Sequence, residues 1–287
     1  SGCVRLYNLI LSLPCSCHAL NERRDGAMAG RNETRPLTFQ LTLTVLALAA
    51  FSFAMVVGFG FFATLKADRD SLDRQRVFLT NGIEELAEAV RREQESVSVW
   101  DDAVIHAKAG DQQWMTENLG AWLHTYYGHD RVYVLNDVDR PVHAMREGET
   151  LDPGAYSADE ASVLPSVNAL RGMLELTAND DPSDDPEKLV SGDLVALDGK
   201  PAMISVMPLV PSSDRVIQEP GTEYLHVAVQ FIDDQLIARI GEQYGLSGAR
   251  LLGLSETASA ATVPLLDQRG MILGFVTWEP YRPGVGL

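Results

Sequence analysis

The sequence predicts an α+β protein, with one transmembrane helix near its N-terminus, a long helix after it, and then an antiparallel sheet with flanking helices. Three observations carry this expectation. Residues 37–65, 29 in all, contain no Asp, Glu, Lys or Arg. A helical repeat of leucines follows at once. From Arg131 onward, short alternating strands are separated by turn residues, a mixture that suits a sheet with helices segregated to one face.

Charge divides the chain in the same places. Its 287 residues carry a formal net charge of −17. Residues 1–36 hold five arginines against three acidic residues, a net of +2, so the part beyond the apolar run carries −19. So acidic a domain repels a phosphate backbone, which excludes nucleic acid as a partner. The three cysteines, Cys3, Cys15 and Cys17, all precede the apolar run, so no disulfide framework reveals the compartment of the rest.

About 20 apolar residues cross a hydrocarbon core. Residues 37–65 are therefore expected to be a retained anchor in the lipid bilayer. A cleaved signal peptide, whose apolar region is usually about 7–15 residues, fits less well. Gly58, Gly60 and Ala63 match G-x-G-x-x-A, but no strand precedes them, so the match carries no nucleotide-binding meaning. Basic residues flank both ends, with Arg31 and Arg35 before the run and Lys66, Arg69, Arg74 and Arg76 after it, so charge does not set the orientation. The chain opens Ser1-Gly2, and Met28 stands just before Ala29-Gly30-Arg31. Residues 1–36 are expected to be an N-terminal extension, disordered or foreign to the native protein before Met28. The domain reading is thus 1–36 extension, 37–65 transmembrane helix, and 66–287 an extracytoplasmic domain.

Leu65, Leu72, Leu79 and Leu86 recur every seven residues and predict an amphipathic helix running to about Ala109. Two such helices could pair through this seam in a homodimer, or the leucines could pack on their own domain. Gly110 suits a left-handed helix stop and Asp111 the next N-cap, opening a helix over 112–127 that Gly128 closes. Strands are expected at 131–135, 142–145, 194–197, 202–206, 224–232, 263–266 and 271–278, with Asp198-Gly199 the strongest hairpin signal. Helices are expected near 158–176, interrupted by Pro165, and near 233–244. The acidic, Pro-containing segment 179–187 lacks the alternating ligands and central Gly of a calcium loop and reads as a solvated loop.

Some of these residues suggest chemistry. Asp102 and His106 stand four apart on one helix, where a carboxylate would favour imidazolium and make a pH sensor, or simply a structural hydrogen bond. Trp114, Asn118 and Trp122 repeat at the same spacing and would wall a small-ligand pocket, or else pack the helix on the sheet. His129, beside Asp130, sits at a helix-to-strand corner where local capping is the competing role. Catalytic signatures are weak. His124 and His129 lack the spacing of H-E-x-x-H, and Ser255 lacks the second Gly of a nucleophile elbow.

The stretch 98–144 resembles the fourth class of the CHASE extracellular sensory domains. The likeness rests on Trp100-Asp101-Asp102, on Trp114 with Asn118-Leu119, on Gly128-His129-Asp130 and on Arg140-Pro141. Trp278-Glu279-Pro280 and Arg282-Pro283-Gly284 lie where that family approaches a second span. The resemblance implies a PAS-like sheet behind a long helix, in a bacterial or archaeal membrane protein. It also implies a cytoplasmic GGDEF, EAL or kinase output, and neither a GGDEF nor an EAL motif occurs in this chain.

The expected function is ligand sensing at the bacterial inner membrane, without catalysis. The expected contacts of an unidentified small molecule are Trp100, Asp102, His106, Trp114, Asn118, Trp122 and His129. No metal ligands are expected, and the sequence leaves any cofactor unknown. The alternatives are an anchored extracytoplasmic hydrolase and a scaffold that only dimerises.

Overall fold

The computed structural model describes residues 37–180, 189–256 and 261–286. The N-terminal extension with its cysteines, and residues 181–187 of the acidic segment, lie outside the described residues. The chain forms two compact units divided between Gly58 and Phe59.

The first helix, α1, runs Leu37–Ser98. From Leu37 to Phe62 its large apolar side chains are all exposed, and among the described residues it is the one helix long and apolar enough to cross a membrane.

The second unit holds two sheets. The larger has six antiparallel strands in the order β3-β2-β1-β6-β5-β4, the PAS-like sheet expected. These strands are β1 (Arg131–Leu135), β2 (Pro141–Arg146), β3 (Glu149–Leu151), β4 (Ser191–Leu197), β5 (Lys200–Pro208) and β6 (Leu225–Phe231). The Asp198-Gly199 turn joins β4 to β5 with both residues at positive φ, as a two-residue hairpin requires. The smaller sheet, β7 (Arg250–Leu252), β9 (Ile272–Thr277) and β8 (Thr262–Leu266), has its strands in that order and was not expected as a separate sheet. Its core joins α6 (Asp234–Gln243) to α1 through Leu79, Ile237, Ile240, Leu265, Val276 and Trp278.

Helices cover both faces of the large sheet, correcting the expectation of one. Helix α5 (Glu160–Asp180) lies on one face over Tyr133, Leu135, Ile204, Val227 and Val229. It carries Pro165 inside it without a break. The end of α1 and three short helices cover the other face. These are α2 (Asp101–Ala109), α3 (Gln112–Met115) and α4 (Trp122–Tyr127), with Val132, Val134 and Met145 beneath them.

Two further expectations fail for identifiable reasons. The long helix does not reach Ala109. Val99 forms a bridge with Val210, Val210 N–H donates to Ser98 O at 3.0 Å, and Trp100 N–H donates to Val210 O at 2.9 Å. Trp100 is therefore extended, and α2 starts afresh at Asp101. Nor is the leucine seam open for pairing: Leu79 is fully buried, and Leu72 and Leu86 pack against the same core. Gly82 serves this packing, since a Cβ there would stand 2.7 Å from Ile240 and 2.8 Å from Tyr244.

Candidate functional site

Strand β1 is buried along its whole length, so a charged residue on it needs partners. Its first residue, Arg131, is 4% exposed and points to the α5 face. Its Nη1 donates to both oxygens of Asp159, at 2.6 and 2.7 Å. Asp159, 1% exposed, is set by the start of α5, whose Ser162 and Val163 N–H groups donate to its backbone carbonyl. The Tyr133 hydroxyl donates to the same carboxylate at 2.5 Å. Arg131 Nη2 donates to Asp198, on the β4–β5 turn. The Phe231 ring faces the guanidinium, its centroid 4.9 Å from Cζ, and Lys200 Nζ lies 6.0 Å from the same ring.

The electrostatics follow from that geometry. Burial works against the charge on Arg131, but the bonds to Asp159 and Asp198 outweigh it and raise its pKa. Burial, then the bond to Asp159, pushes the Tyr133 hydroxyl up to about 12. The bond from Arg131 holds Asp198 below the usual carboxylate range. The arrangement holds a fixed, permanently charged fork beside an aromatic ring, a combination suited to binding.

The opposite face of the sheet is polar in a different manner. Gln94 Nε2, on α1, lies 2.9 Å from His226 Nδ1, 2.8 Å from His226 O and 3.2 Å from Ser205 O. Two carbonyls at that spot require the amide nitrogen, so His226 Nδ1 accepts and its Nε2–H points to Leu119 O at 3.3 Å. Burial pushes His226 down to about 3 and His143 down to about 4. His143 Nδ1 lies 3.0 Å from Gln112 Oε1.

The predicted contacts do not converge. Trp100, His106 and Trp114 stay together: the His106 and Trp114 rings stack at 4.5 Å, and the two tryptophan rings lie 5.0 Å apart. Asp102 is exposed, and His106 pairs with Asp111 at 2.9 Å instead. Asn118 bonds Trp114 O at 3.0 Å within its own helix. Trp122 is 43% exposed and packs on Tyr126. A π-helical turn, Thr116–Ala121, lies between α3 and α4. The four-residue face turned to the sheet is the neighbouring one, Met115, Leu119 and Leu123, all fully buried, so Trp114, Asn118 and Trp122 fall beside it. His129 is fully buried, with Nε2 2.9 Å from Glu93 on α1.

Sequence reasoning passed over Asp101, Arg131, Tyr133, Asp159 and Asp198. In the Trp-Asp-Asp series Asp101 is the buried member, accepting from Ser213 N at 3.0 Å, Ser213 Oγ at 2.5 Å and Arg215 Nη2 at 3.1 Å. An arginine opening an otherwise apolar strand was the available signal for Arg131. Among the described residues, no three His, Cys, Asp or Glu side chains gather to hold a metal ion.

The CHASE4 domain matches residues 83–252, from the middle of α1 through the whole large sheet to β7. The chain belongs to the CHASE4 family. It thus carries an extracytoplasmic sensory domain, together with a helix long and apolar enough to anchor it. No curated protein matches the chain. A crystal structure of the periplasmic domain of Vibrio cholerae LuxQ is similar with a TM-score of 0.42 and 13% identity, covering 72% of this chain and 97% of that one. A second crystal structure of that domain gives 0.39 and 12%, covering 75% and 100%.

Proposed function

We propose that this CHASE4 chain is the ligand-sensing part of a signalling protein in a bacterial inner membrane. Residues 37–65 span the bilayer, residues 66–287 lie outside the cytoplasm, and binding there controls a cyclic-di-GMP or kinase output domain. The match over residues 83–252, beside an exposed apolar helix of membrane length, is the observation that carries this reading. The protein works as a homodimer in this reading, and Val77 and Phe78 on α1, 56% and 43% exposed, offer apolar surface for it.

Ligand contacts are proposed at Arg131 and Phe231. A second reading keeps Trp100, His106 and Trp114, because their half-buried rings pack as one cluster. Protease treatment of intact spheroplasts tests the topology: cleavage between residues 66 and 287 from outside is expected, and full protection overturns the reading. Thermal-shift screening of the chain in detergent micelles then tests binding, because a ligand of the folded state alone raises the melting temperature. A shift lost in Phe231→Ala but kept in Trp114→Ala assigns the first site; the reverse assigns the second.

A further inference from the structure

Asp159 and Asp198 hold the same guanidinium on very different terms. Asp159 is buried and receives three hydrogen bonds, two from Arg131 and one from Tyr133. The Asp198 side chain is 61% exposed and belongs to a tight turn, at φ +49. It meets Arg131 at Nη2, while the buried Nε of Arg131 has no hydrogen-bond partner. Nη2 and Nε form one edge of the guanidinium, and a carboxylate lying along that edge takes two parallel bonds. Asp198, tethered to its turn, takes one. A buried donor left unpaired costs about 1–3 kcal/mol, so this edge is incompletely satisfied.

The surroundings favour an anion. Arg146 stands directly opposite Arg131 on β2, and its Nε is likewise buried without a partner. Like charges facing each other across strands repel. Lys200 lies near the Phe231 ring on the next strands. The acidic side chains facing this group are Asp159, Asp198 and the exposed Glu149, which pairs in register with Arg146. Of these, Asp198 and Glu149 stand exposed at the surface, where water can take up their charge, and Asp159 is buried.

We propose that the Nη2–Nε edge of Arg131 recognises the carboxylate of a small organic acid, which displaces Asp198 and packs its adjoining carbon skeleton on Phe231. The exchange replaces one carboxylate by another, so no buried charge is left unpaired while the ligand gains the bond that Asp198 does not make. Displacement also frees the β4–β5 turn from β1, which ties occupancy to the geometry of the sheet. This inference rests on the sensory reading and names the ligand class of its site.

The test uses the whole chain in detergent micelles and the probes benzoate and succinate, as sodium salts, with benzamide and sodium chloride as controls. Asp198→Asn removes the competing charge and leaves the buried Arg131–Asp159 pair intact, so the protein folds. It is expected to bind a carboxylate probe about tenfold more tightly than the unaltered chain, read as a larger thermal shift and by calorimetric titration, since a competitor's removal raises apparent affinity. Arg131→Lys, which keeps the charge but loses the fork, is expected to abolish that gain. Weaker or unchanged carboxylate binding in folded Asp198→Asn overturns the inference, as does equal response to benzamide. The sensory reading would survive either result, because it stands on the topology experiment and on shifts by compounds of other classes.

Discussion

On the α5 face of the large sheet a buried ionisable group keeps its charge; on the opposite face two are held neutral. Arg131 stays cationic because Asp159 and Asp198 reach it. His143 and His226, equally buried, have no carboxylate against them, and burial pushes them to about 4 and about 3. Both arrangements satisfy the rule that an isolated charge is not left in a low dielectric. They differ in what they permit. A paired charge offers a ligand something to exchange with; a neutral imidazole buried under α1 offers only structure. The unpaired polar atoms agree in part, since Gln94 Oε1, Ser98 Oγ, His143 Nε2, Ser205 Oγ and Gln230 Oε1 all sit on the face covered by α1 and the three short helices.

The largest expected effect comes from leaving Arg131 without its fixed partner. Asp159→Ala should destabilise the protein by about 3–5 kcal/mol, whereas Arg131→Met combined with Asp159→Leu should cost far less, because no charge is then stranded. Urea unfolding in micelles checks both. A single substitution costing under about 1 kcal/mol would mean that the pair does not hold the charge as described.

The two neutral histidines make the opposite face sensitive to acid. Their folded values lie below the unfolded value of 6.5, so the unfolded chain takes up more protons at mildly acidic pH. Stability is complete above about pH 6.5 and falls as pH drops toward 4, by up to about 1.4 kcal/mol per pH unit for each histidine. Melting temperatures across that range should drop less in His226→Gln than in the unaltered protein. Identical pH profiles would remove His226 from the account.

A smaller change sharpens the same contrast. Gln94→Leu withdraws the amide that serves His226 and Ser205, and should cost about 1–3 kcal/mol by leaving buried acceptors unpaired. It should leave carboxylate binding at Arg131 unaltered, since that site is on the other face. The smallest effect is expected at Asp102, which is exposed: Asp102→Asn should change stability by under about 0.5 kcal/mol in urea unfolding. A loss well above that would restore the pair that its four-residue spacing suggested.

Much of the fold was legible because it is written in short-range chemistry. The apolar run, the left-handed Gly110 and Gly128, the Asp111 cap and the Asp198-Gly199 turn each depend on a few consecutive residues, and each stands where the sequence placed it. The apolar runs of β1 and β5 beside their turn residues, and the alternation in β6, sufficed to find those strands, though not the short β3 and β7, whose three residues carry no pattern. Periodicity also showed that α1 has an apolar side, but could not say whether another copy or the chain's own α6 would cover Leu79. The site was decided by the tertiary structure alone. Arg131 meets Asp159 across 28 residues and Asp198 across 67, and Asp101 meets Ser213 across 112. No local pattern selects among acidic residues at such separations. The selection is made by the pairing of β1 with β2 and β6, by the register of β5, and by where α5 begins. The same holds for Trp114 and Trp122: their spacing suggested a ligand-walling face, and only the packing shows that the neighbouring series Met115, Leu119 and Leu123 is the one that meets the sheet.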